Sequence, residues 1–94
     1  MSKVFEWSYK KLLEEASAGT PTPGGGSISA IAACLGASMV SMVANLTIGK
    51  DKYIAYEAAA KDIQKEASDI ITDLENLVES DIAVFNQYMD ALKL

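Results

Sequence analysis

The chain has 94 residues, a net charge of -5 and no histidine. A chain of this length forms one domain with a modest core, so we expect a single domain over residues 1–94 that gains stability by oligomerising. Its acidic charge disfavours nucleic acid as a partner. Cys34 is the only cysteine, which excludes an internal disulfide, and the lack of histidine excludes a Cys–His nucleophile and argues against an ordinary zinc site.

The first predicted element is an amphipathic helix over residues 2–18. Its apolar residues recur at helical spacing on one face: Phe5, Tyr9, Leu12, Leu13 and Ala16. Trp7 falls outside this stripe, and we expect it to pack against a neighbouring helix or protomer. Gly19 is expected to cap the helix C-terminus. Acidic residues from Glu6 onward interrupt the apolar pattern that a secretory signal needs, so we expect a cytoplasmic protein.

A proline–glycine stretch, residues 21–26, precedes an uncharged run from Ser27 to Thr47. We predict a stiff loop that enters a central helix, with Ser27 as its N-cap and Gly49 as its C-terminal cap. The run could span a bilayer, form the central helix of a soluble bundle, or offer an anion site at its N-terminus. We favour the soluble helix, because small residues dilute the larger apolar ones and no aromatic residue borders the run.

The last predicted element is a long helix from about Tyr53 to the C-terminus, where the sequence has no glycine or proline. A coiled-coil-like seam can be traced along it in steps of four and three: Tyr56, Ala60, Ile63, Ala67, Ile70, Leu74, Leu77, Asp81, Val84 and Tyr88. A second set recurs every seven residues: Ile71, Val78, Phe85 and Leu92. The predicted fold is all-α, an antiparallel bundle of about three helices with a long C-terminal helix, completed by oligomerisation.

Asp81 is the one charged residue on this predicted seam. A carboxylate at a buried position costs free energy unless it is paired or hydrogen-bonded, and such a group suits a general acid or base. Two other interpretations remain open at this point. Asp81 is a satisfied core residue without a catalytic role, or the helix turns so that Asp81 is exposed.

Three segments carry a resemblance to a known family: Pro21-Thr22-Pro23-Gly24-Gly25-Gly26-Ser27, then Met42 to Thr47 with Lys50 to Tyr53, and finally Asp81 to Phe85 with Met89. With them the chain resembles the first half of the formiminotetrahydrofolate cyclodeaminase / methenyltetrahydrofolate cyclohydrolase domain. The resemblance implies an all-helical dimer that binds folate near the dimer interface and needs no metal or redox cofactor. It implies either hydrolysis of 5,10-methenyltetrahydrofolate to 10-formyltetrahydrofolate, or closure of 5-formiminotetrahydrofolate with release of ammonia.

The resemblance also suggests roles for individual residues. Asp81 is the candidate acid/base, and the candidate substrate-binding residues are Thr22, Pro23, Gly24, Gly25, Gly26, Ser27, Asn45, Lys50, Lys52 and Tyr53. The glycines would lie close to the ligand, and Ser27, Thr22 or Asn45 would hydrogen-bond it. Lys50 and Lys52 would attract the glutamate tail of folate. Without the resemblance, the simpler interpretation is that both are solvated loop residues. The expected partners are folate and further copies of the chain, in a homodimer or a higher homo-oligomer, without nucleic acid or membrane. A non-catalytic helical oligomer and a membrane hairpin are the alternatives.

Overall fold

The computed structural model describes residues 4–19 and 23–93. The elements in chain order are a short 3-10 helix Val4–Glu6, α1 (Tyr9–Ser17), α2 (Gly25–Thr47), a second 3-10 helix Asp51–Tyr56 and α3 (Glu57–Leu92). No strand occurs among these residues, so the prediction of an all-α fold with a long C-terminal helix is confirmed. The molecule is elongated, with extents of 63 × 24 × 18 Å.

Helices α2 and α3 form an antiparallel hairpin, and side-chain hydrogen bonds connect them at three levels. Ser27 bonds Asp81 at 2.9 Å near one end, Cys34 donates to the Ile71 carbonyl at 3.8 Å near the middle, and Gln64 donates to Asn45 towards the other end. Residue numbers rise along α2 as they fall along α3. The hairpin therefore fixes which residues of the two helices can share a site.

The turn between these helices begins at Gly49, as the sequence predicts. Gly49 has φ 79°, a left-handed conformation that glycine adopts without the steric cost of a Cβ atom. Its backbone N–H donates to Oε1 of Glu57 at 2.8 Å. Gly19 also has a positive φ, 81°, and ends α1 as predicted.

The N-terminal segment is not the continuous helix that the apolar stripe predicts. The hydroxyl of Ser8 accepts a hydrogen bond from the backbone N–H of Lys11 at 3.1 Å, and this N-cap begins α1 at Tyr9. The 3-10 helix before Ser8 is therefore a separate element. Sequence periodicity misses the break, because a capping serine at an exposed position leaves the apolar spacing unchanged.

A small core attaches this segment to the hairpin. Val4, Val78 and Ile82 form its buried centre, and Trp7 and Leu12 pack against it. The expectation that Trp7 anchors the segment against a neighbouring helix is confirmed. The core lies at the Asp81 end of the hairpin, since Val78 and Ile82 flank that residue along α3.

Only part of the predicted seam of α3 faces α2. The buried residues of this helix are Ala60, Ala67, Val78 and Ile82. Leu74 is half-buried, whereas six other seam residues are exposed by about half or more: Tyr56, Ile63, Ile70, Leu77, Val84 and Tyr88. A single neighbouring helix covers one narrow line of α3, so these seam positions are uncovered within one chain, and their burial by oligomerisation stays a prediction.

Exposed apolar residues form a continuous face along α2, the 3-10 helix Asp51–Tyr56 and α3, which we call the apolar surface: Val40, Val43, Tyr53, Tyr56, Ile63 and Ile70. Two adjoining grooves lie on it and share Val40 and Ile63. The larger groove has a volume of about 630 Å³. Burial of large apolar side chains is the main favourable term in protein association, so this surface is suited to a further helical partner.

Among the described residues, α2 is the one helix that is long and apolar enough to span a membrane by length and composition. The central helix of a soluble domain meets the same criterion. Within this chain only Ser27 and Ala44 of α2 are buried.

Candidate functional site

The candidate site lies at the N-terminus of α2. Gly24 is the N-cap in an extended conformation, with φ -83° and ψ 178°, and Gly25 and Gly26 form the first turn. Two sequence predictions are corrected here. Ser27 lies inside the helix rather than capping it, and the predicted loop ends at Gly24, because Gly25 and Gly26 already belong to α2.

The glycines instead leave the helix backbone open. A Cβ atom placed on Gly25 would meet nothing within 4 Å, and one placed on Gly26 would lie 4.0 Å from Oδ2 of Asp81. A ligand can therefore approach the first turn closely. The backbone N–H groups of this turn and the helix dipole attract negative charge.

Asp81 projects from α3 beside this turn. Its Oδ2 accepts a hydrogen bond from the Ser27 hydroxyl at 2.9 Å. Ser27 is 1% exposed, whereas Asp81 is exposed. Of the interpretations that the sequence leaves open, the structure shows the one in which Asp81 is exposed rather than buried. The apolar residues around Asp81 turn towards α2 and the N-terminal segment, and the carboxylate lies at the edge of that contact.

Packing fixes the position of Asp81 along and around α3. Val78 is 1% exposed and Ile82 is 8% exposed, and both belong to the core described above. These two residues precede and follow Asp81 on the helix, so they hold the local rotation of α3. The side chain of Asp81 therefore lies at the solvent-exposed edge of the α2–α3 contact, beside the N-terminus of α2.

The other predicted site residues fall into a second group at the opposite end of the hairpin. Asn45 lies about 27 Å from Ser27 along α2, at 1.5 Å per residue. Lys50 and Lys52 are exposed on the connector, and Nζ of Lys52 lies 5.5 Å from the centre of the Tyr53 ring. The structure thus does not bring all the predicted binding residues together within one chain.

Among the remaining predicted residues, Pro23 is buried next to the N-cap Gly24. Thr22 lies outside the described residues. The first group is therefore Pro23, the three glycines, Ser27 and Asp81, and the second is Asn45, Lys50, Lys52 and Tyr53.

Sequence reasoning missed the partner of Asn45. The amide of Gln64 donates to Oδ1 of Asn45, so this asparagine is engaged between the helices rather than left for a ligand. The spacing of the buried residues Ala60 and Ala67 places Gln64 on the same face of α3, and an amide opposite an amide is the signal that could have indicated the pair.

The described residues contain no group of three His, Cys, Asp or Glu side chains that could hold a metal ion. Cys34 is half-buried between the two long helices. Burial raises the pKa of the Cys34 thiol, and the negative charge of Glu75 raises it further. A thiol held protonated in this way is a poor nucleophile, which agrees with a packing role.

Comparison with known proteins shows the family of this chain. A family model described as Formiminotransferase-cyclodeaminase matches residues 8–94. The chain is 39% identical over 87 residues to the Methenyltetrahydrofolate cyclohydrolase of Methylorubrum extorquens, covering 93% of this chain and 42% of that protein. It is 29% identical over 91 residues to the Formimidoyltransferase-cyclodeaminase of Mus musculus, covering 97% of this chain and 17% of that protein.

The chain belongs to the formiminotransferase-cyclodeaminase family, because the family model covers nearly its whole length. It spans less than half the length of the relatives that it matches.

Proposed function

We propose that the chain acts on a tetrahydrofolate derivative as a methenyltetrahydrofolate cyclohydrolase, with the reaction at the N-terminus of α2. The observation that carries this proposal is the exposed carboxylate of Asp81 beside an open, glycine-lined first helical turn. The 39% identity to a relative named for this activity supports it. Cytoplasmic location and the lack of a metal or redox cofactor are part of the same proposal.

The proposed reaction needs a positioned water and a proton acceptor. The methenyl carbon of the substrate is cationic, so a water oxygen can form a bond to it while Asp81 removes a proton from that water. The bond between this carbon and N5 then breaks as the carbon–oxygen double bond forms, and Asp81 returns its proton to N5. The remaining hydroxyl proton is released to solvent, which leaves the formyl group on N10. Atoms and charge balance with one water consumed and one proton released, because the substrate is a cation.

The direct test is loss of methenyltetrahydrofolate absorbance with the purified chain against a buffer blank. Turnover above the blank supports the proposal. The chain spans 42% of the length of its cyclohydrolase relative, so turnover would also establish that this part contains a working site. Folded protein with no turnover above the blank would contradict the cyclohydrolase proposal. Cyclodeaminase activity would then be the next to test, and a non-catalytic helical oligomer would be favoured.

Gly25→Ala tests whether the ligand approaches the first turn of α2. Alanine should favour the helix by up to about 1 kcal/mol, because Gly25 is helical and its added Cβ meets no described atom. We expect turnover to fall at least about tenfold, since the methyl group would occupy the space of a ligand held in near-attack geometry. Unfolding by denaturant and steady-state kinetics measure the two effects.

Gly36→Ala is the matched control for that variant. Gly36 lies within α2, and a Cβ atom there also meets nothing within 4 Å. It should raise stability similarly and keep normal turnover. Equal activity of the two variants would show that the substrate does not approach Gly25.

We propose that Lys50 and Lys52 attract the polyglutamate tail of the substrate. They lie at the far end of the hairpin from Asp81, so the extended tail is the part of the ligand that could reach them in the same chain. Replacing both with alanine should weaken binding of polyglutamylated folate, with a smaller effect on the monoglutamate, and should reduce the salt dependence of binding. Isothermal titration at two salt concentrations measures this difference.

The control for the lysine variant is Lys61→Ala with Lys65→Ala, which removes the same charge from α3. Those lysines pair with Glu57 and Asp69 on the helix surface. If the Lys50 and Lys52 variant weakens all folate forms equally, or if the control behaves in the same way, the tail-binding role is wrong.

Formiminotetrahydrofolate cyclodeaminase activity is the second candidate, because the matching family model and the Mus musculus relative carry that name. The same carboxylate could move protons while the ring closes and ammonia leaves. Incubation with 5-formiminotetrahydrofolate and measurement of released ammonia distinguishes the two reactions.

We also propose that the chain pairs with a second copy. The apolar surface exposes large side chains on both long helices, and a chain of this size gains stability by covering such a face. The two-fold packing of identical surfaces is the commonest arrangement of homo-oligomers.

A further inference from the structure

The hydroxyl of Ser27 makes an unusual contact for a helical serine. Three other hydroxyl groups within the described helices bond back to their own helix: Ser17 to the Leu13 carbonyl, Ser38 to that of Leu35 and Thr47 to that of Val43. This is the common pattern for serine and threonine in helices. Ser27 instead donates across the hairpin to the Asp81 carboxylate, 54 positions away in the sequence.

This hydrogen bond connects the buried hydroxyl of Ser27 to the exposed carboxylate of Asp81. Ser27 is 1% exposed, so its hydroxyl has a defined position at the start of α2. Asp81 is exposed, and its side chain would otherwise rotate freely in solvent. The bond to Oδ2 restricts this rotation, and within the described part of the chain Oδ1 of Asp81 has no hydrogen-bond partner.

We propose that Ser27 is a positioning residue for Asp81. It holds Oδ2 and leaves Oδ1 available to accept the proton from water. This inference rests on the proposed function and changes the role predicted for Ser27, which becomes a partner of the acid/base rather than of the ligand. The serine acts through geometry, because a carboxylate held in one orientation needs no reorganisation before the proton is transferred.

Steady-state kinetics of the complete 94-residue chain tests the proposal. Ser27→Ala should lower kcat about 10- to 100-fold through loss of orientation, with little change in KM. Ser27→Cys keeps the side-chain size but donates weakly, so it should behave more like alanine than like serine. Ser29→Ala is the control, since Ser29 is exposed on the same helix, and it should leave kcat unchanged.

A double variant separates a positioning role from a merely structural one. If Ser27 acts through Asp81, adding Ser27→Ala to Asp81→Asn should lower kcat no further than Asp81→Asn alone. Independent, multiplying losses would overturn the proposal. Circular dichroism of each variant checks that the helices remain folded, and a variant that unfolds is replaced in the comparison by Ser27→Cys.

The possible failures are distinguishable. Wild-type turnover with unchanged kcat in Ser27→Ala overturns the positioning role and leaves the proposed function standing. Wild-type turnover no greater than the buffer blank overturns the proposed function and the positioning role together.

Discussion

Replacing Asp81 with asparagine should lower turnover of methenyltetrahydrofolate by about 10²- to 10⁴-fold, the usual contribution of general acid–base catalysis. The amide keeps the size of the side chain, and its oxygen can still accept the bond from Ser27. It cannot accept a proton from the attacking water. The loss should therefore appear in kcat, while the dissociation constant for tetrahydrofolate changes little.

Asp73→Asn is the control for this variant, because Asp73 is also an exposed carboxylate on α3 and its replacement changes the net charge equally. Near-normal turnover in Asp81→Asn would remove Asp81 from the mechanism. An equal loss in both variants would indicate a general effect of charge on binding of the cationic substrate.

Replacing Ile63 and Ile70 together with aspartate should convert a self-associating chain into a monomer. Burial of each isoleucine contributes about 1.5–3 kcal/mol, so losing both should raise the dimer dissociation constant at least about 100-fold. The two residues are 47% and 50% exposed within one chain, so the hairpin itself should remain folded. Analytical ultracentrifugation without detergent, over a range of concentrations, measures the change.

The control is Thr72→Asp with Asn76→Asp, which adds the same charge at exposed positions of α3 away from the apolar surface. This control should remain associated. A wild-type chain that is monomeric at high concentration would contradict pairing through the apolar surface. A wild-type chain that stays in solution only with detergent would instead favour the membrane hairpin.

The helices and their turns are largely predictable from the sequence because their signals are local. The uncharged run predicts α2, and the absence of glycine and proline predicts the unbroken α3. Gly19 and Gly49 indicate where the backbone needs a left-handed conformation. The signal that begins α1 at Ser8 is also local, because it is a single capping side chain. The apolar stripe continues across Ser8, however, and on its own predicts one uninterrupted helix. Periodicity alone does not show which signal prevails.

The site depends on contacts between distant parts of the chain. Periodicity places Asp81 on a seam, but the face of α3 that is buried depends on where α2 and the N-terminal segment pack. In the same way, the sequence suggests Asn45 and Ser27 as ligand-binding residues. In the folded hairpin, however, Asn45 is bonded to Gln64 and Ser27 to Asp81.

The sequence by itself therefore determined the all-α class, the turns and the family, since each depends on residue types at nearby positions. Only the tertiary structure decided that Asp81 is exposed and bonded to Ser27 beside the open turn of α2, and that Gln64 pairs with Asn45. The physical reason is that side-chain exposure and proximity depend on the packing angle and register of two helices, which residues far apart in the sequence fix together.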